Sequence, residues 1–188
     1  MRKAGIDLDG VIGNVSHSII NYINGMYDKT FTEKDITEYH IYNWFLEMDD
    51  RQVSVMFKNP GFYLNMPPLD KAIDSINKLK DDDWWIDIVT ARDWGCLKVT
   101  MDWLKDEEVK FDRISFVDSD KKLEYAGIEN FDFFVEDKPS TAKQLTKVVP
   151  LVYLVDAPYN KKLNNGVIRV KNLEEMLKDL KRKELYDV

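Results

Sequence analysis

Two rhythms of apolar residues run through this chain. Short, nearly unbroken apolar runs at residues 3–8, 85–89, 113–117, 131–135, 149–155 and 167–170 predict buried strands. Between them lie stripes at helical spacing. Val15, Ile19, Ile20 and Ile23 predict a helix over 14–27, and Ala72, Ile73, Ile76 and Leu79 predict one over 70–80. Leu97, Met101 and Leu104 mark another, and Leu173, Met176, Leu177 and Leu180 mark a closing helix. Thr32 with Asp35 reads as a helix start, and Ser140 as the cap of a short helix through Leu145. Strands alternating with helices predict right-handed βαβ units and an α/β fold whose parallel sheet is covered on both faces. Residues 36–66 break the alternation. They are rich in aromatics (Tyr39, Tyr42, Trp44, Phe45, Phe57, Phe62, Tyr63) and end near Asn59-Pro60-Gly61 and Pro67-Pro68. With the helix before them they read as a small helical insertion after the first strand. The expected division is a core of residues 1–14 and 67–188 and an insertion of 15–66.

Charge and cysteine count narrow the function classes. With 27 basic and 34 acidic side chains the net charge is −7, which disfavours gripping polymeric DNA or RNA but leaves room for a small anion in a locally positive pocket. One cysteine, Cys96, excludes an intrachain disulfide. The apolar run at the start is broken by Asp7 and Asp9, unlike a signal peptide, and no run approaches the ~20 apolar residues of a membrane span. A cytoplasmic protein without membrane association is expected. His17 and His40 lie far apart, so no zinc-type cluster is expected.

In parallel sheets, ligands gather beyond the carboxyl ends of the strands. Four such ends carry suitable groups: Asp7 and Asp9, Thr90-Ala91-Arg92, Asp118-Ser119-Asp120-Lys121, and Glu136-Asp137-Lys138. Asp7 and Asp9, two apart in an extended segment, point the same way, and Gly10 lets the chain turn sharply behind them. An isolated pair of this kind is more often a solvated strand end. A second acidic pair, Glu136-Asp137, changes that balance, because two acidic clusters that meet need a cation between them, and oxygen-only donors suit Mg²⁺. Thr90 offers a hydroxyl near a helix start, and Lys121 offers a compact positive charge, with the adjacent Lys122 not excluded by spacing.

As a set, DLDGV (7–11), IVTAR (88–92), DSDK (118–121) and VEDKP (135–139) resemble the four motifs of the haloacid dehalogenase-like (HAD) phosphohydrolases, in order. The resemblance implies a Rossmannoid three-layer α/β/α core with a small helical cap of the C1 type. FYLNMPPLDKAIDSINKL before the second motif, PYN at 158–160 and RVKNLEEM near the end are similar to the 5′(3′)-deoxyribonucleotidase family. Where that family often has Asp before the fourth-motif aspartate, this chain has Glu136.

The resemblance implies a Mg²⁺-dependent phosphomonoesterase acting on a nucleoside monophosphate. Asp7 is the implied nucleophile and Asp9 the general acid and base. Thr90, Ala91 and Lys121 are the implied phosphate contacts. Asp7, the Asp9 backbone carbonyl and Asp137 are the implied metal ligands, with Glu136 in reserve. Trp44, Phe45, Phe62, Tyr63 and Arg92 are candidates for contacts to the base or from the cap. The alternatives are a HAD phosphatase for a sugar phosphate or a DNA 3′-phosphate, and a catalytically silent binding module. Oligomeric state is left open by the sequence.

Overall fold

A computed structural model of the chain describes residues 1–161 and 166–183; residues 184–188, assigned to the core above, lie outside the described residues. The expected strands form one sheet. β1 (Lys3–Ile6), β2 (Trp85–Thr90), β3 (Arg113–Phe116), β4 (Phe133–Glu136), β5 (Leu151–Val155) and β6 (Ile168–Val170) are arranged in the order β3-β2-β1-β4-β5-β6. Each neighbouring pair is parallel. The order reverses direction at β1, and this places the crevice for ligands at the carboxyl ends of β1, β2 and β4.

Side-chain alternation along the strands supplies both faces of the sheet. Ile86, Ile88, Phe133, Val135, Tyr153 and Val155 join one apolar cluster with α3 (Ala72–Asp81), α4 (Leu97–Asp106) and α7 (Leu173–Arg182). Their neighbours Val89, Phe134, Val152 and Leu154 join a second cluster with α5 (Lys122–Glu129) and α6 (Pro139–Leu145). The result is the expected three-layer α/β/α sandwich. Two short differences have simple causes. Ser140 does not cap α6, because Pro139 already occupies its first turn, where its missing N–H costs nothing. The segment opened by Thr32 is a single 3-10 turn, Glu33–Asp35, whose Asp35 carboxylate accepts the Thr32 N–H at 2.7 Å.

Between β1 and α3 the chain forms α1 (Val15–Tyr27), α2 (Asp50–Lys58) and three 3-10 turns. The segment leaves and re-enters the sandwich at one place. The Asn14 N–H donates to the Pro67 carbonyl at 2.8 Å, and the Leu69 N–H to that of Ile12 at 2.8 Å. Phe31 packs edge-on to Trp44 and Phe45, and Tyr27 edge-on to Phe45, so these aromatics form the interior of the helical segment.

Candidate active site

β1 ends in a loop that folds back on itself. The Ile12 and Gly13 N–H groups both donate to the Leu8 carbonyl at 2.9 Å, and the Gly10 N–H to the Gly13 carbonyl at 2.8 Å. Gly10 has φ +81°, a conformation that side chains rarely adopt, and a Cβ there would overlap the Asp137 carboxylate. Glycine is therefore required twice at this position, by backbone conformation and by space. The loop delivers Asp7 and Asp9 into a cavity of about 810 Å³ at the carboxyl edge of the sheet.

Asp7 is buried. Lys122 Nζ, at the first residue of α5, donates to its Oδ1 at 2.6 Å and to Glu136 Oε2 at 3.2 Å. Lys122 in turn is held by its helix. Tyr125, one turn on, donates its hydroxyl to the buried Asp87 at 2.6 Å, and Ser115 and Arg113 also bond that carboxylate. Asp87 thus ties α5 to the sheet just below the cavity. Ligand oxygens of Asp7, Glu136 and Asp137 all lie within 4.8 Å of one another.

The electrostatics follow from burial. Burial opposes the charge on Lys122, yet Asp7 and Glu136 beside it hold its pKa above the ordinary lysine value. Burial raises the Asp7 pKa against the pull of Lys122. Burial and then the nearby Asp7 push Glu136 well above the usual carboxyl range, and the same two causes bring Asp137 up to about 7. Three carboxylates face one ammonium at the buried floor of the cavity. That donor set, oxygen only and short of positive charge, fits a hard divalent cation such as Mg²⁺.

Asp9 stands apart from this cluster. Arg92 clamps it with two bonds, Nε to Oδ2 at 2.9 Å and Nη2 to Oδ1 at 2.6 Å. The guanidinium also donates to Thr100 Oγ1 at 3.0 Å and lies 3.8 Å over the Tyr63 ring. Arg92 thereby connects Asp9 to the helical insertion. Arg92, a candidate contact to the base or from the cap, pairs with an acid and lines the cavity.

Several residues lie elsewhere than the sequence suggests. The lysine on Asp7 is Lys122, whereas the side chain of Lys121 is 64% exposed and pairs with Asp118 at the cavity rim. The two are adjacent, and only the start of α5 decides which one turns inward. Thr90 is fully buried and off the cavity wall, its hydroxyl accepting the Arg92 N–H at 3.2 Å, while Ala91 and Arg92 line the cavity. Trp44, Phe45 and Phe62 are packed among other aromatics and do not line the cavity; Tyr63 does.

Other residues at the site went unnoticed in the sequence. Tyr159 donates its hydroxyl to Asp137 Oδ2. The buried Asn160 donates to the Asp137 and Val155 carbonyls at 2.9 and 2.7 Å, bracing the loops after β4 and β5. Both lie in PYN, which marked them only as part of a resemblance. Tyr39, Ser54, Phe57 and Lys58 close the cavity from the insertion, and Trp94 and Phe116 wall its β2–β3 side. Nothing in local sequence pattern distinguishes these from ordinary surface or core residues.

Comparisons with known proteins agree with this geometry. The model of the family described as 5′ nucleotidase, deoxy (pyrimidine), cytosolic type C protein matches residues 3–184. A nucleotidase of Clostridium acetobutylicum is 29% identical over 173 residues, covering 91% of this chain and 89% of the relative. A haloacid dehalogenase-like hydrolase from Streptococcus pneumoniae superposes with a TM-score of 0.64 at 13% identity, covering 94% of this chain and 97% of its own. A D,D-heptose bisphosphate phosphatase from B. bronchiseptica, solved with magnesium and phosphate, superposes with a TM-score of 0.58 at 13% identity, covering 97% and 99%. Among the described residues no helix is long and apolar enough to cross a membrane. With a family match over nearly the whole chain and the four motif segments gathered at one cavity, the chain belongs to the type C 5′ nucleotidases, has the fold of haloacid dehalogenase-like hydrolases and is a phosphoric monoester hydrolase.

Proposed function

We propose that the protein is a Mg²⁺-dependent 5′(3′)-deoxynucleotidase that releases phosphate from nucleoside monophosphates through an aspartyl-phosphate on Asp7. One observation carries the reading: a buried Asp7, fixed by Lys122 at 2.6 Å, shares its pocket with Glu136 and Asp137. Asp7, Asp137 and Glu136, with the Asp9 backbone carbonyl, would hold the cation. When bound, Mg²⁺ offsets the repulsion between the anionic nucleophile and the anionic phosphate.

The chain's own groups perform the rest. An Asp7 carboxylate oxygen attacks phosphorus in line, forming the acyl phosphate as the bond from phosphorus to the sugar oxygen breaks. Asp9 gives its proton to that departing oxygen. It then takes a proton from the water that attacks the acyl phosphate, releasing inorganic phosphate and regenerating Asp7. Each Asp9 oxygen accepts one bond from Arg92 in the structure, which leaves a second lone pair on each for the proton. Lys122 and the backbone at Ala91 meet the non-bridging phosphate oxygens, where fixed donors act most strongly on the transition state. Thr90 shapes that loop from beneath. Residues 15–66 act as the cap, with Tyr63 against Arg92 linking cap and acid.

The test is phosphate release from a panel of nucleoside monophosphates and sugar phosphates, with Mg²⁺ and then with EDTA. Nucleotide preference, loss in EDTA and a silent but folded Asp7→Asn variant are expected. Preference for a sugar phosphate over every nucleotide, or turnover by Asp7→Asn, overturns the assignment.

A further inference from the structure

Trp44, Phe45 and Phe62, three of the residues expected to meet a base, pack away from the cavity, yet the cavity does carry a flat aromatic surface. Trp94 and Phe116 lie with ring centroids 4.8 Å apart and planes 19° from parallel, and both line the cavity. Trp94 is 67% exposed, so the ring surface turned away from Phe116 is available to a ligand. Other aromatics on the cavity wall are less available. The Tyr63 ring is capped by the Arg92 guanidinium, the Tyr39 ring by Lys138 Nζ at 4.9 Å, and Phe57 is set edge-on to Phe62.

Position supports the same reading. Phe116 is the last residue of β3 and pairs in register with Thr90 at the end of β2. Asp7 leaves β1, the next strand over. Two strand spacings, about 10 Å, separate the Phe116 position from the nucleophile's strand. That matches the reach from a phosphate across one pentose to its base. Trp94 sits in the 3-10 turn directly after the Thr90-Ala91-Arg92 loop, so one short segment would both meet the phosphate and carry the stacking ring.

We infer that the Trp94–Phe116 pair is the platform on which the aromatic base of a nucleoside monophosphate stacks while its phosphate meets Asp7. The inference rests on the nucleotidase reading and adds the residues that set its preference for a base. Stacking is tolerant of base identity, since every base has a π-face, so the platform selects nucleotides over base-free phosphates more than one base over another.

The experiment measures kcat/KM for deoxynucleoside monophosphates and for 2-deoxyribose 5-phosphate, taking their ratio in the parent chain, Trp94→Ala, Trp94→Phe and Phe116→Leu. Trp94→Ala is expected to lower the nucleotide-to-sugar ratio by roughly 5- to 150-fold, the range of base–aromatic stacking. Phe116→Leu lowers it in the same direction, and Trp94→Phe, which keeps a ring, restores most of it. A ratio unchanged in Trp94→Ala, in a parent enzyme that prefers nucleotides, overturns the platform and leaves the nucleotidase reading standing. A parent enzyme with no preference for nucleotides over the sugar phosphate overturns both.

Discussion

Replacing Lys122 with methionine tests the centre of the site most directly. Methionine keeps much of the length of the lysine stem and removes the ammonium, so packing changes little while Asp7 and Glu136 lose their shared partner at 2.6 and 3.2 Å. Breaking a buried ion pair from one side costs about 3–5 kcal/mol, because the remaining charge has neither water nor a partner. At an m-value of about 2 kcal/mol/M in urea this is a fall in unfolding midpoint of roughly 1.5–2.5 M. The measurement belongs in EDTA at pH 8. At lower pH protonation of the orphaned carboxylates shrinks the penalty, and in saturating Mg²⁺ the cation replaces part of the missing charge. Phosphate release should fall by about 10²–10³-fold, the loss seen when one fixed donor to a developing anion is removed. Lys121→Met is the internal comparison. Its exposed pair with Asp118 contributes about 0–1 kcal/mol, so its midpoint and turnover should stay close to those of the parent chain. An unchanged midpoint in Lys122→Met, or loss of turnover in Lys121→Met with Lys122→Met active, would refute the assignment of the lysine and the charge argument behind it.

Three further outcomes are expected. Arg92→Lys loses the two-pronged grip on Asp9, and kcat should fall by roughly 10²-fold with a smaller change in KM; steady-state kinetics showing a KM effect alone would place Arg92 on the substrate instead. Gly10→Ala forces a methyl group against Asp137 at a positive φ, so the apparent Mg²⁺ affinity read by titration should weaken even where circular dichroism shows a folded chain; an unaltered affinity would contradict the crowding. Because Asp137 is raised to about 7 by burial and by Asp7, the metal-free protein binds protons there that the unfolded chain does not, and it loses stability as pH rises toward 7. Mg²⁺ displaces those protons, so its stabilising shift in melting temperature should be larger at pH 8 than at pH 6, and a shift independent of pH would contradict the cluster's role.

The core was legible because its signals are local. A buried parallel strand in a covered sheet has to be apolar along its length, and the helices between strands need one apolar stripe, so both rhythms are written in consecutive residues. The acidic and basic groups of the motifs stand at strand ends for an equally local reason: a charged side chain inside a strand is buried and needs partners, as Asp87 in β2 has Arg113, Ser115 and Tyr125. The aromatic residues of 36–66 were harder. Composition marks them as large and apolar, but a ring in a cap core and a ring on a cavity wall have the same sequence. Phe45 became core and Tyr63 became wall through packing among segments far apart in the chain.

The sequence by itself determined the order of strands and helices along the chain, the four motif segments and the acidic pair Asp7 and Asp9 at the end of β1, because each depends on residues near one another along the chain. The tertiary structure decided that Lys122 and not Lys121 faces Asp7, that Arg92 grips Asp9, and that Trp94 meets Phe116 at the cavity. Those choices are between neighbours one helical step apart or between partners from separate strands, and they are settled by which way a helix is rotated against the sheet and which loops it brings together.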